Sequence, residues 1–377
     1  MLAHARGEVL FVCGAGVSQP AGLPGFRDLV LDVYQKLDPS VFEVISTPPS
    51  GIGNQREIEA LKLRDDQKSE VKRFDDGDYD VVLGMLERRI DTRTSADSRV
   101  RNEVANRLRA GGPKPAAIHR ALIRLADRGG AMTIVTTNFD LLFESAARSR
   151  RSPAQTYSLG SMPRPSHRKD FAGVLHIHGA LDAKPARFSE LVLSDHDFGE
   201  FYLRRRVVPD FIYDAARLYH LVLVGYSAND PPMRYLLNSV AADGTRFFDL
   251  KERYTFFGTS KADPVALEDW KARGITPIPY SAPDGDHSVL LQVLERWAKL
   301  SPFNGKKSSV DAEIRRIVKC NRAAAPEYDR DLFDHLIRRD RDDRVRLSKL
   351  ASAAKADLCW LEAIVRIGAE REQRHRS

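Results

Sequence analysis

Cysteine is scarce in this sequence. Three residues in 377, Cys13, Cys320 and Cys359, are widely spaced and odd in number. They cannot build a disulfide framework or a CxxC metal knuckle. The expectation is a reducing compartment, the cytoplasm, and no structural zinc. Long apolar runs are missing too: none approaches the roughly 18 residues that a bilayer-crossing helix needs. No membrane association is expected. Residues 1–7 lack the layout of a signal peptide and lead directly into what reads as a core strand. There is no repeat of solenoid period and no low-complexity block. Hydrophobic residues make up 42% of the chain and mean hydropathy is −0.38. That composition is globular, and it excludes collagen-like, mucin-like and wholly disordered classes.

Charge is present but unevenly placed. The net charge is +7, and residues 301–377 hold 18 Lys/Arg against 13 Asp/Glu, so the first 300 residues are nearly neutral. A basic balance speaks to partners rather than to fold. For this segment the reading is a solvated helical surface, with partner or nucleic-acid contact as the other possibility.

Short, nearly continuous apolar runs recur at 9–13, 132–136, 174–177, 220–225, 254–258 and 275–280. That is how strands buried on both faces of a parallel sheet read. Helical patterns follow them at 25–37, 139–147, 231–241, 264–272 and 287–300. The alternation predicts an α/β fold, a doubly wound parallel sheet of Rossmann-like type, spanning residues 1–302. Nearly 120 residues separate the first two runs, far more than one crossover needs. Residues 38–115 read as a helical insert standing over the sheet edge, with helices at 79–90 and 98–110; a further helix is expected at 115–128. Within the insert, 46–54 reads as a loop and 64–80 as a charged, mobile stretch. Residues 150–170, rich in Arg, Pro and Ser, read as a loop. Residues 303–377 form a helical extension in which Leu332, Leu336, Leu347, Leu350, Leu358, Leu361 and Val365 recur at helical spacing.

Four turns carry chemistry. The first is Gly14-Ala15-Gly16-Val17-Ser18, continued by Gly22-Leu23-Pro24-Gly25-Phe26-Arg27. Glycines straight after a buried strand allow a sharp turn and close approach of a ligand. Amides at a helix start favour an anion, and a dinucleotide pyrophosphate fits such a cradle. The second is Thr137-Asn138-Phe139-Asp140. Asn138 can hold a ribose hydroxyl or orient a water, and Asp140 can accept from a carboxamide; helix capping is the competing explanation. The third is His176-Ile177-His178-Gly179, with two histidines on one strand face. His178 is the candidate for proton exchange and His176 reads as structural. No third ligand of sensible spacing follows, so no metal site is expected. The fourth, Gly225-Tyr226-Ser227 running to Asp230-Pro231, is another glycine turn, where Gly225 and Ser227 can meet phosphate or ribose.

Taken together and in order, these turns resemble the sirtuin superfamily, in particular the sirtuin-like domains of bacterial anti-phage defence. The resemblance covers about residues 8–300. It implies NAD as substrate. It implies that Gly14, Ala15, Gly16 and Ser18 hold the pyrophosphate and that Phe26-Arg27 lies by the nicotinamide-side ribose. Thr137-Asn138 and Asp140 would frame that ribose, the reacting water and the carboxamide. His178 would act on ribose hydroxyls, with Gly225 and Ser227 beneath the phosphates and the other ribose. One departure bears on reaction type: no cysteine lies between 180 and 219, where protein-deacylating sirtuins carry a four-cysteine zinc module. Also, Thr137 stands where those enzymes have glutamine. The resemblance therefore implies an NAD glycohydrolase, with Asn138 and His178 catalytic. It also implies a gate, through a homo-oligomer or a defence partner such as a translocase ATPase, a short Argonaute or a sensor. An NAD- or ADP-ribose-binding regulatory module and a protein deacylase or ADP-ribosyltransferase stay open at this point.

Overall fold

The computed structural model describes residues 1–48, 55–91, 98–129, 131–148, 154–159, 161–167, 170–182, 190–226, 237, 240, 250–261, 263–339 and 341–374. Seven parallel strands form one sheet: β1 Val9–Cys13, β2 Thr133–Thr136, β3 Thr156–Ser158, β4 Gly173–His176, β5 His220–Val224, β6 Arg253–Thr259 and β7 Thr276–Ser281. Their spatial order is β3-β4-β2-β1-β5-β6-β7. Register pairs Phe11 with Ile134 on one side of β1 and with Val222 on the other.

Strand periodicity sorts the apolar residues onto two faces. Leu10 and Val12 join Leu175, Leu221 and Leu223 in a core covered by helix Val207–Leu218. That helix offers Val208, Phe211, Ile212 and Ala215, the three-and-four spacing of a buried stripe. Phe11 and Cys13 point the other way, with Ile134, Val174 and Val222. Helices Ala117–Ala126, Leu142–Ala147 and Ser288–Leu300 cover that face. Burying each large aliphatic contributes about 1.5–3 kcal/mol. At one edge, β7 carries Pro277 and Pro279 and pairs only with β6 among the described strands. Proline supplies no ladder donor, which suits an edge position.

Helix Phe26–Leu37 and the insert pack a core together over the carboxyl ends of the strands. Val30, Val33, Tyr34, Leu83, Leu86, Val100 and Val104 gather there, and Phe139, Leu142, Leu181 and Leu191 from the loops after β2 and β4 join them. Arg101, buried among these helices, donates to Glu87, to Asp197 and to the Leu191 carbonyl. It locks the insert onto the segment that follows β4.

Some sequence expectations need correction. Residues 64–80 are not a mobile stretch. Asp65–Asp75 is a helix that buries Glu70, Val71 and Phe74, and Arg89 satisfies Glu70. The 150–170 segment is not wholly loop, because it supplies β3, paired with β4. The helix after β2 begins at Leu142 rather than 139, because the Asp140 carboxylate accepts from the Leu142 amide. Most of the helix expected at 231–241 and part of the 46–54 loop lie outside the described residues. Beyond Leu300, helices Lys307–Ile317, Glu327–Arg339, Arg341–Ala353 and Leu358–Arg374 share a separate core around Phe333, Leu336, Leu347 and Trp360. Leu358 and Val365, expected in that stripe, face solvent instead. No described helix is long and apolar enough to cross a membrane.

Candidate active site

The chain leaves β1 towards β2, then returns to place β5 on the other side of β1. In open parallel sheets, such a reversal opens a ligand crevice at the carboxyl ends of the strands. Here its floor is two glycine turns pressed together. The Gly14 amide donates to the Val224 carbonyl at 3.0 Å and the Gly16 amide to the Gly225 carbonyl at 2.9 Å. A Cβ on Gly14 would meet the Gly225 oxygen at 2.6 Å, and one on Gly225, at φ +62°, would meet the Val17 nitrogen at 2.5 Å. Only glycine permits this approach.

That packing revises the expected role of the first turn. No regular helix starts at Gly14–Ser18. Two three-residue 3-10 turns, Ala15–Val17 and Gln19–Ala21, follow β1, and the helix begins only at Phe26. The amides of Val17 and Ser18 bond to the Gly14 and Ala15 carbonyls. Ala15 is the exposed position of the turn. A phosphate meeting this turn would meet it at Ala15, while Gly14 and Gly16 shape the floor.

Above the floor lies a chain of buried polar groups. The Asn138 Nδ2 donates to the Gly14 carbonyl at 3.0 Å and to the Ser18 Oγ at 2.9 Å. The Ser18 hydroxyl in turn donates to Asp140 Oδ2 at 2.8 Å, and Asp140 Oδ1 accepts from the Leu142 amide. Burial raises the Asp140 carboxyl above its ordinary range, and these two donors pull against that rise. The Asn138 amide donates to Thr136 Oγ1. Both Nδ2 protons are thus engaged and the carboxamide is held in one orientation, leaving Oδ1 as the group that can accept from water. Ser18 links the turns internally, its hydroxyl donating to Asp140 and accepting from Asn138.

Both histidines are buried. The His176 Nδ1 lies 2.7 Å from the Asn138 carbonyl and its Nε2 lies 2.9 Å from Glu144 Oε1. β4 ends at His176, and Gly179, at φ +94°, turns the chain away. The His178 Nε2 meets the Tyr202 hydroxyl at 2.6 Å, with its ring edge-on to Phe198. Burial lowers the His178 pKa to about 3, so its imidazole is neutral.

The remaining expected residues divide. The Thr137 amide donates to the Cys13 carbonyl at 3.0 Å, tying the β2 turn to β1. Phe26 is half-buried, edge-on to Tyr79. Arg27 is exposed, with its guanidinium 5.3 Å from the Phe74 ring centroid and ion-paired to Asp28. It belongs to the rim rather than to the polar chain. Ser227 lies outside the described residues. Among those described, no group of three His, Cys, Asp or Glu could hold a metal ion.

Two participants escaped the sequence reading. Tyr202 comes from a π-helical turn, Gly199–Arg204, that continues helix Asp195–Phe198. Such turns are rare and often sit at functional sites. Glu144 lies one helical turn beyond Asp140, and that spacing was the only available signal for it.

Residues 132–278 match the family model of the SIR2-like domain. The match begins at β2, and β1 with its glycine turn completes the same sheet. Over 361 residues, 94% of its length, the chain is 34% identical to the uncharacterized protein y4cA of Sinorhizobium fredii (strain NBRC 101917 / NGR234). It spans 26% of that relative's length. SIR2-like domains bind NAD. Motif order, an all-parallel sheet and the family match agree in supporting a sirtuin-like domain, matched over residues 132–278.

Proposed function

We propose that this chain is an NAD glycohydrolase, cleaving the nicotinamide–ribose bond with water to give nicotinamide and ADP-ribose. The observation that carries the reading is the buried Asn138–Ser18–Asp140 chain with His178 at the carboxyl ends of β1, β2 and β4. A phosphate-binding turn alone needs no such arrangement.

The chemistry asks little of an acid. Nicotinamide departs as a neutral group from a cationic pyridinium, so no proton need be given to it, unlike the leaving oxygen of an O-glycoside. An oxocarbenium-like centre forms, and fixed dipoles beside it lower the barrier. Asn138 Oδ1 would accept from the attacking water, whose proton then leaves to solvent. His178 is neutral and keeps Tyr202 on Nε2, so Nδ1 would take a ribose hydroxyl's hydrogen bond and draw electron density towards the cation. Deacylation lacks support, because no cysteine between 180 and 219 is present to build a zinc-framed peptide groove.

By resemblance of motif order, the enzyme would serve as a gated, cytoplasmic defence effector, held off until oligomerisation or a partner releases it. The separately packed C-terminal helices offer a surface for that. The test is nicotinamide release from NAD by wild type, Asn138→Ala and His178→Ala, each checked for folding. Asn138→Ala should lose roughly 10²–10³-fold in kcat. His178→Ala should lose roughly 10²-fold in kcat, with little change in calorimetric NAD affinity. Normal turnover in folded Asn138→Ala would sink the assignment.

A further inference from the structure

We propose that Glu144 and His176 form a positioning pair for Asn138: the carboxylate holds the ring, the ring holds the Asn138 backbone carbonyl, and the carboxamide is thereby fixed for water. The proposal rests on the NAD-cleaving reading for its purpose, but its geometry is independent of it.

His176 is fully buried and both ring nitrogens are engaged, Nδ1 at 2.7 Å from the Asn138 oxygen and Nε2 at 2.9 Å from Glu144 Oε1. A carbonyl oxygen only accepts, so Nδ1 carries a proton. Glu144 Oε1 also accepts from the Thr156 hydroxyl at 2.9 Å. An ionised carboxylate likewise only accepts, so Nε2 carries a proton too. The ring is therefore an imidazolium, buried against one carboxylate. The other oxygen, Glu144 Oε2, is buried with no hydrogen-bond partner among the described residues, so its charge is left to act on His176. Asp140 faces the ring from the β2 turn, and Thr136 of β2 and Ser158 of β3 flank it in register without a titratable group. Burial opposes the charged ring, but the Glu144 bond and charge, the Asn138 carbonyl and Asp140 together leave its pKa above the ordinary value.

The device has one moving proton. While Nε2 is protonated, helix Leu142–Ala147, β4 and the Asn138 turn are clamped together. When that proton leaves, a ring lone pair faces the Glu144 carboxylate and the clamp loosens. Turnover should therefore fall on the alkaline side with the His176 titration.

Two readouts on the full chain test this. The first needs no turnover: nitrogen–proton correlation of the histidine rings, with His176 assigned by its loss in His176→Gln. Wild type should show both His176 nitrogens protonated at about pH 7. The Asn138 side-chain amide should shift with the same midpoint as the ring. In Glu144→Gln the ring should be neutral and that coupling gone. The second readout is kcat and KM for NAD across pH. Glu144→Ala should lose about tenfold in kcat with KM nearly unchanged. Glu144→Gln, whose amide can donate to a neutral Nε2, should recover most of that loss and flatten the alkaline limb. A neutral His176 ring in wild type at neutral pH overturns the positioning pair, whatever the turnover. So does a Glu144→Gln variant as impaired as Glu144→Ala. A protonated ring coupled to Asn138 in a protein that cleaves no NAD supports the pair and overturns the functional reading instead.

Discussion

The carboxyl ends of β1, β2 and β4 and the C-terminal helices treat polar groups differently. At the strand ends Ser18, Asn138, His176 and His178 are buried; the first three bond to one another's turns, and His178 meets Tyr202. In the extension the core cluster is apolar, with Trp360 against Phe333 at 4.6 Å, and charges pair around it, some at the surface, as in Arg338–Glu370 at 3.3 Å and Arg366–Glu370 at 3.0 Å, and some buried, as Asp329 with Arg316 and Arg339 with Asp343. Surface pairs are worth about 0–1 kcal/mol, whereas a buried polar group left unbonded costs about 1–3 kcal/mol. A chain shaped by stability alone would resemble the extension throughout. The buried polar chain requires another reason, and a ligand at the crevice provides one. The contrast also bears on the basic composition of residues 301–377. Arg316, Arg322, Arg339 and Arg346 each engage a neighbouring carboxylate, so the excess charge does not by itself make an open basic face.

The largest expected effect tests whether both regions share one weakness, which is acid. Burial lowers the pKa of His4 and His119 to about 4 and of His178 and His335 to about 3. Three belong to the sheet unit and His335 to the extension. An unfolded chain takes up protons at these positions from about pH 6.5 downward, while the folded chain refuses them until about pH 3–4. Stability is therefore fully present above pH 6.5 and is lost as pH falls through that window. His176 works in the opposite sense, since its raised pKa gives stability present at low pH and lost as pH rises through it. Burial lowers His220 as well, and the raised Asp140 carboxyl acts in the same sense as His176, so these two raised groups are set against five lowered rings and the net slope is upward with pH. Denaturant midpoints measured from pH 7 to pH 4 should fall steeply. A flat profile would contradict the burial of these rings.

Next in size is Trp360→Ala. The indole is fully buried, donates to the Cys320 carbonyl at 2.8 Å and lies beneath the Arg322 guanidinium. Removing it should cost about 3–5 kcal/mol. The loss should fall on the helices after Leu300 while calorimetric NAD affinity stays within about twofold, because no residue of the crevice belongs to that core. Loss of NAD binding in this variant would break the comparison and show that the two regions stand or fall together.

The sequence made the central strands legible because β1, β2, β4 and β5 are buried on both faces, so their residues are almost all apolar. β3 was not legible: Thr-Tyr-Ser is three residues long and partly exposed at an edge. Helix Asp65–Asp75 was read as mobile because its composition is charged. Its Glu70 is nevertheless buried, and Arg89 and Tyr34, distant in sequence, satisfy it. The site divides along the same line. Asn138, Asp140 and His178 stand at strand ends, where periodicity and turn chemistry point to them. What each one bonds to depends on packing between turns over a hundred residues apart, as Ser18 with Asp140 shows. Gly14 and Gly16 were legible as glycines that must be glycines, but that their close neighbour within the chain is Gly225 was not.

The smallest effect sharpens the comparison most, because it removes a single oxygen from the polar region. In Tyr202→Phe the ring keeps its packing, 5.3 Å from Phe198 and 5.9 Å from His178 between centroids. Only the hydroxyl that meets His178 Nε2 is lost. If Nδ1 is to accept from a ribose hydroxyl, Nε2 must carry the proton, and the Tyr202 oxygen is what accepts it. Without that acceptor the buried ring no longer prefers this tautomer, and part of the population presents Nδ1–H, which cannot accept. The cost should be about that of one hydrogen bond, so kcat should fall roughly tenfold, or about 1.4 kcal/mol. NAD affinity and thermal stability should change little, since the packing is intact. Turnover and calorimetry on the purified variant check both halves. Unchanged kcat would mean that the hydroxyl is one more satisfied core group, of the kind the extension holds in Trp360 with Cys320. The tautomer argument for His178 would then fall with it.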